Sequence, residues 1–149
     1  MFTKAEEQFL ELYRSGIWEK PVKEEIFDGS TDWETIKDLM LAQTVIGVCT
    51  NVISKLPAQL KPNQNIYFNL IMLTSNIEQA NKAMNNLLIE LFDACEKLNI
   101  KAFLLKGQAV AQCYPNPLLR QSGDIDLLFL ETGEYKKAVM NFISTFLYR

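Results

Sequence analysis

The sequence is 149 residues long, which suits about one domain, and 48% of its residues are hydrophobic, which excludes a disordered chain. Its formal net charge is −3, but ten of its eighteen acidic residues fall within the first 38 positions, so the remainder is slightly basic. That remainder has no clustered stripe of lysine and arginine, the usual feature of sequence-independent nucleic-acid binding. We therefore expect no dedicated DNA or RNA binder, whereas a small polyanionic ligand remains compatible with the charge.

Histidine is absent. Its absence excludes a Ser-His or Cys-His nucleophile pair, an imidazole general base and a zinc site with histidine ligands. Cys49, Cys95 and Cys113 are scattered and form no C-x-x-C pair, so we interpret them as buried free thiols in a reducing compartment. The acidic start of the chain and the lack of a long apolar run predict a cytoplasmic protein without a membrane segment.

The first 98 residues are predicted to be helical. A first helix is expected over residues 4–15, with Gly16 ending it. A second helix is expected from an N-cap at Thr31 or Asp32 to about Leu56, where prolines follow, and it is apolar on most sides.

The third predicted helix is the longest, from about residue 64 to residue 98. Its apolar residues recur at alternating spacings of four and three: Ile66, Leu70, Leu73, Ile77, Ala80, Met84, Leu87, Leu91, Ala94 and Leu98. This seam fits either a dimerising coiled coil or packing within the chain against the second helix. We favour the second interpretation because that helix is available as a partner.

After residue 99 the pattern changes to strands. A buried strand is predicted over residues 102–105, followed by a helical stretch ending near Tyr114, a second strand over 124–130 and a last helix over 133–148. Two strands do not form a stable sheet by themselves. We therefore expect residues outside this chain to complete the sheet, with complete cover by helices as the alternative.

Two aspartates carry the chemistry that this sequence suggests. Asp124 and Asp126 alternate along the second predicted strand, so both side chains are expected on one face. Two carboxylates so close favour a divalent cation between them, and hard oxygen ligands suit Mg²⁺ or Mn²⁺. An Asp-x-Asp pair alone is a weak signal, because acidic residues are common at strand edges.

The turn before the first aspartate adds basic and small residues. Lys106, Gly107 and Gln108 lie where the first strand runs into a helix, and the backbone N–H groups of such a start can bind phosphate oxygens. Arg120, four residues before Asp124, can grip a phosphate through two hydrogen bonds. The alternative for Arg120 is a structural ion pair with Asp124 or Asp126.

Residues 102–130 resemble a bacterial family of uncharacterised nucleotidyltransferases, within the DNA polymerase β-like superfamily. The resemblance is carried by L-K-G at 105–107, Y-x-x-P at 114–117 and R-x-x-x-D-I-D-L-L at 120–128. It implies an α+β fold, in which a helical region (1–98) precedes the first part of a nucleotidyltransferase-like mixed β-sheet with flanking helices (99–149). The catalytic core is expected to be truncated in this chain.

The same resemblance implies an enzyme that transfers a nucleoside monophosphate from an NTP, such as ATP, to an unknown hydroxyl acceptor with two Mg²⁺ or Mn²⁺ ions. Asp124 and Asp126 would be the catalytic metal ligands. Gly107 would form the phosphate turn, with Lys106, Gln108 and Arg120 as further phosphate contacts.

The sequence departs from the superfamily pattern in two ways. Gly107-Gln108 replaces the usual Gly-Ser or Gly-Gly, and a third carboxylate is not identifiable, so we expect this chain to be incomplete for catalysis. One alternative is a non-catalytic relative that binds nucleotide or protein through its helical region. Another is a helical interaction protein in which the Asp-x-Asp pair is incidental. Acceptor, preferred base and oligomeric state stay open.

Overall fold

The structure, a computed structural model, describes residues 1–130, 139–142 and 144. It is α+β and mostly helical, with an N-terminal helical region and a small antiparallel sheet. Its helices and strands are α1 (Lys4–Trp18), α2 (Trp33–Ala42), α3 (Ile46–Ile53), α4 (Gln64–Lys97), β1 (Ala102–Leu105), α5 (Gly107–Ala111) and β2 (Asp126–Phe129), with short 3-10 turns at Glu24–Ile26, Ala58–Leu60 and Pro117–Leu119.

Helix α1 is longer than the sequence predicts, because Gly16 does not end it. A capping box between Thr3 and Glu6 starts the helix, and it continues to Trp18. A Cβ on Gly16 would lie 2.5 Å from Cγ1 of Val48 and 3.0 Å from its carbonyl oxygen. Gly16 therefore allows α1 to approach α3 closely, and the prediction that it terminates the helix is wrong.

The second predicted helix is two helices. Thr44 has a φ of +55°, which no α-helix accommodates, and this residue separates α2 from α3. Asp32 is the N-cap of α2, since its carboxylate accepts a hydrogen bond from the Thr35 amide. The break lets α2 and α3 run in different directions around the same core.

Helix α4 has the predicted length, and the seam positions Ile66, Leu70 and Leu91 are buried, but the buried face leaves the predicted seam in the middle of the helix. The seam positions Ala80 and Leu87 are exposed, whereas Asn81 and Leu88 are buried. A straight helix turns every 3.6 residues, so a 3.5-residue repeat drifts off its buried face by about 20° per heptad. Helix α4 packs within the chain, as favoured from the sequence, against α3, α2 and the turn at Pro117–Leu119.

Two apolar clusters share α4. The larger one lies between the N-terminal part of α4 and the first three helices, around fully buried Leu12, Ile36 and Met40. The smaller one joins Leu91 and Cys95 of α4 to the inner face of the sheet. The division at residue 98 into a helical region and a catalytic core stays a prediction.

Strands β1 and β2 pair antiparallel, with Leu105 opposite Asp126 and Ala102 opposite Phe129. Strand β2 starts two residues later than predicted, because β1 turns away at Lys106 and residues 124 and 125 have no partner strand among the described residues. Ala102, Leu127 and Phe129 pack against the smaller cluster. The opposite face of the sheet is therefore the exposed one.

Three further predictions concern the cysteines, the last helix and membrane segments. Cys49 and Cys95 are buried free thiols, as expected, but Cys113 is exposed. The last predicted helix is seen only at residues 139–142 and 144, which are helical, and the rest lies outside the described residues. Within the part of the chain that is described, no helix combines the length and apolar character needed to cross a bilayer.

Candidate functional site

The turn between β1 and α5 has an unusual backbone. Lys106 has φ 39° and ψ −151°, and Gly107 follows with φ +42°. The conformation of Lys106 is sparsely populated for any residue with a Cβ, and such strain costs on the order of 1–3 kcal/mol. Backbone strain of this kind occurs preferentially at functional sites, so the turn is a candidate for such a site.

Gly107 lies directly against the segment that carries the two aspartates. A Cβ on Gly107 would lie 2.9 Å from the carbonyl oxygen of Asp124. The missing side chain therefore allows two backbone segments to meet, and it brings Asp124, which is exposed, next to the turn. Gly107 was predicted to bind phosphate, and its contact with Asp124 was not predicted from the sequence.

Asp126 is the first residue of strand β2, and its side chain lies on the exposed face of the sheet. It stands opposite Leu105, and directly opposed residues of an antiparallel pair share a face. Its carboxylate lies 3.7 Å from the Lys106 ammonium, and the two side chains are 35% and 78% exposed. At that exposure the ion pair contributes little stability, so both charges are accessible to a ligand.

The Arg120 side chain binds the backbone of the turn between β1 and α5. Its Nη1 group donates one hydrogen bond to the Gly107 carbonyl oxygen (3.2 Å) and another to the Ser122 hydroxyl (2.7 Å). Among the ion pairs of the described residues, none joins Arg120 to Asp124 or Asp126, so the predicted alternative of a structural ion pair is wrong. Nε and Nη2 donate to no group within the described residues, which leaves N–H groups for an anion.

A buried amide network fixes the turn to α4. The Gln108 side chain donates to the Asn81 carboxamide oxygen at 2.8 Å, and the Asn81 amide donates to the carbonyl oxygens of Leu118 and Arg120, both at 2.7 Å. Asn81 is 1% and Gln108 3% exposed. One side chain of the long helix therefore positions both the residue after Gly107 and the loop that carries Arg120.

The sequence analysis did not identify Asn81 or Ser122. A signal for Asn81 was available, because at 3.6 residues per turn it falls on the same face as Leu70, Ile77 and Leu88. An asparagine on the buried face of a helix needs hydrogen-bond partners, and these are what the structure provides.

The predicted site residues thus fall into two groups. Lys106 and Asp126 approach each other through their side chains, Asp124 approaches Gly107 through its backbone carbonyl oxygen, and Arg120 contacts the turn through the Gly107 carbonyl. The Gln108 side chain points inward to Asn81, so only its backbone N–H can face a ligand at the turn. The roles given to these residues in metal and phosphate binding stay predictions.

The donor set for a cation is limited to carboxylates. Within the described ranges, no three His, Cys, Asp or Glu side chains are grouped so as to hold a metal ion. Asp124 and Asp126 supply hard oxygen donors at an exposed position. That set fits a cation such as Mg²⁺, which keeps several waters and binds through one or two carboxylates together with phosphate oxygens.

Comparison with known proteins adds one finding. A family model described as an uncharacterised nucleotidyltransferase matches residues 29–140, which is well over half of the chain. The match extends far beyond the turn and includes α2, α3 and the whole of α4. No curated protein and no solved structure matches the chain significantly.

Proposed function

The chain belongs to the uncharacterised nucleotidyltransferase family, and we propose from this premise that it transfers a nucleoside monophosphate from an NTP to a hydroxyl acceptor. The geometry around Lys106 and Gly107 is the observation that carries the proposal. There a strained turn, two aspartates and an arginine with free N–H groups meet at an exposed position. The relation to the DNA polymerase β-like superfamily and a bacterial origin remain predictions.

In this proposal the basic residues bind the triphosphate. Lys106 projects an exposed ammonium beside the turn, and the unused Nε and Nη2 groups of Arg120 can grip phosphate oxygens. Gly107 and Gln108 contribute backbone N–H groups at the start of α5. These donors orient the α-phosphate for in-line attack and offset the charge that develops on it.

Asp124 and Asp126 are the proposed ligands of Mg²⁺ or Mn²⁺. When bound, such an ion supplies Lewis-acid stabilisation of charge on the transferring phosphoryl group. Lys106 would exchange its 3.7 Å contact with Asp126 for contacts with phosphate, which leaves the Asp126 carboxylate free to accept a cation. In the free protein, the Lys106 ammonium thus supplies the positive charge beside Asp126 that the cation would supply in the complex.

The test measures Mg²⁺-dependent binding of NTPs by calorimetry. Pyrophosphate release in the presence of a panel of hydroxyl acceptors is measured on the full-length protein, because residues 1–149 alone are expected to be incomplete for catalysis. We expect Asp126→Asn and Asp124→Asn each to weaken activity on the order of 100-fold or more, since several kcal/mol of charge stabilisation are lost. Asp93→Asn, an exposed change on α4, is the matched control and should leave both measurements unchanged.

Lys106→Ala should weaken NTP binding in the presence of Mg²⁺. Equal binding by Asp126→Asn, Lys106→Ala and the unmodified protein would overturn the assignment of this site.

A non-catalytic nucleotide-binding relative is the second candidate. The observation that favours it is the lack, among the described residues, of a third carboxylate grouped with Asp124 and Asp126. The same experiment separates the two functions. Mg²⁺-dependent NTP binding that needs Asp126, without pyrophosphate release for any acceptor, would favour the binding role over the enzyme.

A further inference from the structure

A cavity of about 290 Å³ lies beside the Arg120 loop, between that loop and the helical region. Its apolar wall is formed by Leu41 and Ile46 together with Leu73, Ile77 and Ala80 of α4. Ligand pockets begin at roughly 300 Å³, so this one suits a single ring system and not a whole nucleotide.

The polar groups of the cavity are neutral and partly unused. Asn76, Gln121 and Ser122 complete the lining with Asn81, and none of the described lining residues is charged. The carboxamides of Asn76 and Gln121 make no hydrogen bond within the described residues, and the Ser122 hydroxyl, which accepts from Arg120, keeps its own proton to donate. Free donors and acceptors beside an apolar wall match a flat, neutral ligand with polar edges.

The cavity is coupled to the proposed phosphate site through one side chain. Arg120 donates from the same nitrogen to Ser122, which lines the cavity, and to the Gly107 carbonyl oxygen in the turn. Ser122 and Asp124 are two residues apart, so their Cα atoms are separated by at most about 7 Å. A ribose can bridge that distance between a base in the cavity and phosphates at the turn.

We infer that this cavity is the binding site for the base of the nucleotide, and this inference rests on the proposed function. The apolar wall of α4 contacts the faces of the ring, and the Asn76 and Gln121 carboxamides bind its edge. Asparagine and glutamine pair with adenine in this way, through two hydrogen bonds. The described lining residues carry no charge, which disfavours a phosphorylated or cationic acceptor in the same place.

The experiment compares the Mg²⁺ complexes of ATP, GTP, CTP, UTP and inorganic tripolyphosphate by calorimetry. Tripolyphosphate reports on the turn alone, since it has no base. We expect at least one NTP to bind about tenfold or more tightly than tripolyphosphate. Ala80→Phe fills the cavity from an exposed helix position. It should reduce the affinity for that NTP to within about twofold of the affinity for tripolyphosphate. Ala83→Phe, exposed on the same helix outside the cavity, is the matched control and should preserve the difference.

The outcomes separate the two proposals. If all NTPs bind no better than tripolyphosphate, or if Ala80→Phe keeps the full NTP preference, the base site is overturned while the phosphate site stands. Loss of transfer with unchanged NTP affinity in Ala80→Phe would assign the cavity to the acceptor and also overturn the inference. If neither NTPs nor tripolyphosphate bind, the proposed function fails and the inference fails with it.

Discussion

Asn81 and Gln108 are joined by a 2.8 Å hydrogen bond between two buried carboxamides, although 27 residues separate them in the sequence. The bond links the middle of the longest helix to the residue that follows Gly107. Its position explains how a short five-residue helix, α5, keeps a fixed place beside the sheet. A buried polar pair of this kind is costly to disrupt, because each partner left alone loses its hydrogen bond without regaining water.

Asn81→Ala should therefore destabilise the protein by about 2–4 kcal/mol, since it leaves two backbone carbonyls without their donor and leaves the Gln108 amide only its contact with the Met84 sulfur. Urea unfolding followed by circular dichroism gives the free energy of unfolding. Asn86→Ala, at an exposed position of the same helix, is the control and should change it by less than about 0.5 kcal/mol. A loss as small for Asn81 as for Asn86 would contradict the network.

Gly107→Ala should destabilise the protein by about 1–3 kcal/mol, because the new Cβ would lie 2.9 Å from the Asp124 carbonyl oxygen and φ is +42°. Thermal unfolding with and without Mg²⁺ and NTP tests it. Gly29→Ala is the comparison, since a Cβ there meets no atom within 4 Å. If both variants keep the same melting temperature, the close contact at residue 107 is not required.

Gly16→Ala should lower the free energy of unfolding by about 1–2 kcal/mol despite the higher helix propensity of alanine, because its Cβ meets Val48 Cγ1 at 2.5 Å. Adding Val48→Ala removes that methyl group but leaves the carbonyl oxygen at 3.0 Å. A double-mutant cycle should then show a favourable coupling of at least about 0.5 kcal/mol. Simple additivity of the two changes would indicate that α1 and α3 are not in contact there.

Glu11 should make stability depend on acid pH. Hydrogen bonds from the Arg14 guanidinium, partly opposed by burial, and from the Lys23 backbone N–H lower the pKa of the Glu11 carboxyl below its ordinary 4.5. A group with a lowered folded-state pKa contributes stability that is present above its unfolded pKa and lost as the pH falls through the folded one.

Glu11→Gln should thus cost stability at pH 6 and progressively less below pH 4.5. Urea midpoints at pH 6, 4.5 and 3 measure this convergence. Glu25 lies at an exposed position and forms no ion pair with any described residue, so the urea midpoint of Glu25→Gln should follow that of the unmodified protein at all three pH values. If the midpoint of Glu11→Gln also differs from that of the unmodified protein by the same amount at every pH, the proposed contribution of this carboxylate to stability is wrong.

Much of the secondary structure could be predicted from short sequence patterns, because the energies that favour a helix or a strand depend on residues close together in the sequence. The limits of α4 and β1 were predictable from apolar periodicity, and the strand-turn-helix order around Gly107 from a glycine after an apolar run. The break at Thr44 was not, since a non-glycine residue with positive φ has no sequence signal. Gly16 was misassigned because a glycine near a helix end and a glycine at a helix crossing look the same without the partner helix.

The candidate site was predictable to a similar extent. The sequence places Asp124 and Asp126 two residues apart, but their approach to Lys106 and Gly107 depends on strand pairing, which spans 21 residues between Leu105 and Asp126. The ion pair considered for Arg120 is absent among the described residues, where its side chain donates to a carbonyl and a hydroxyl, and its contact with phosphate stays a prediction. Such contacts are set by the backbone path of the loop, which residue types alone do not specify.

The uninterrupted path of α4 through both apolar clusters constrains how this molecule can move. A helix of 34 residues is about 50 Å long, so both clusters pack on one continuous element. A shift of α4 in the smaller cluster therefore also disturbs the packing of the larger one.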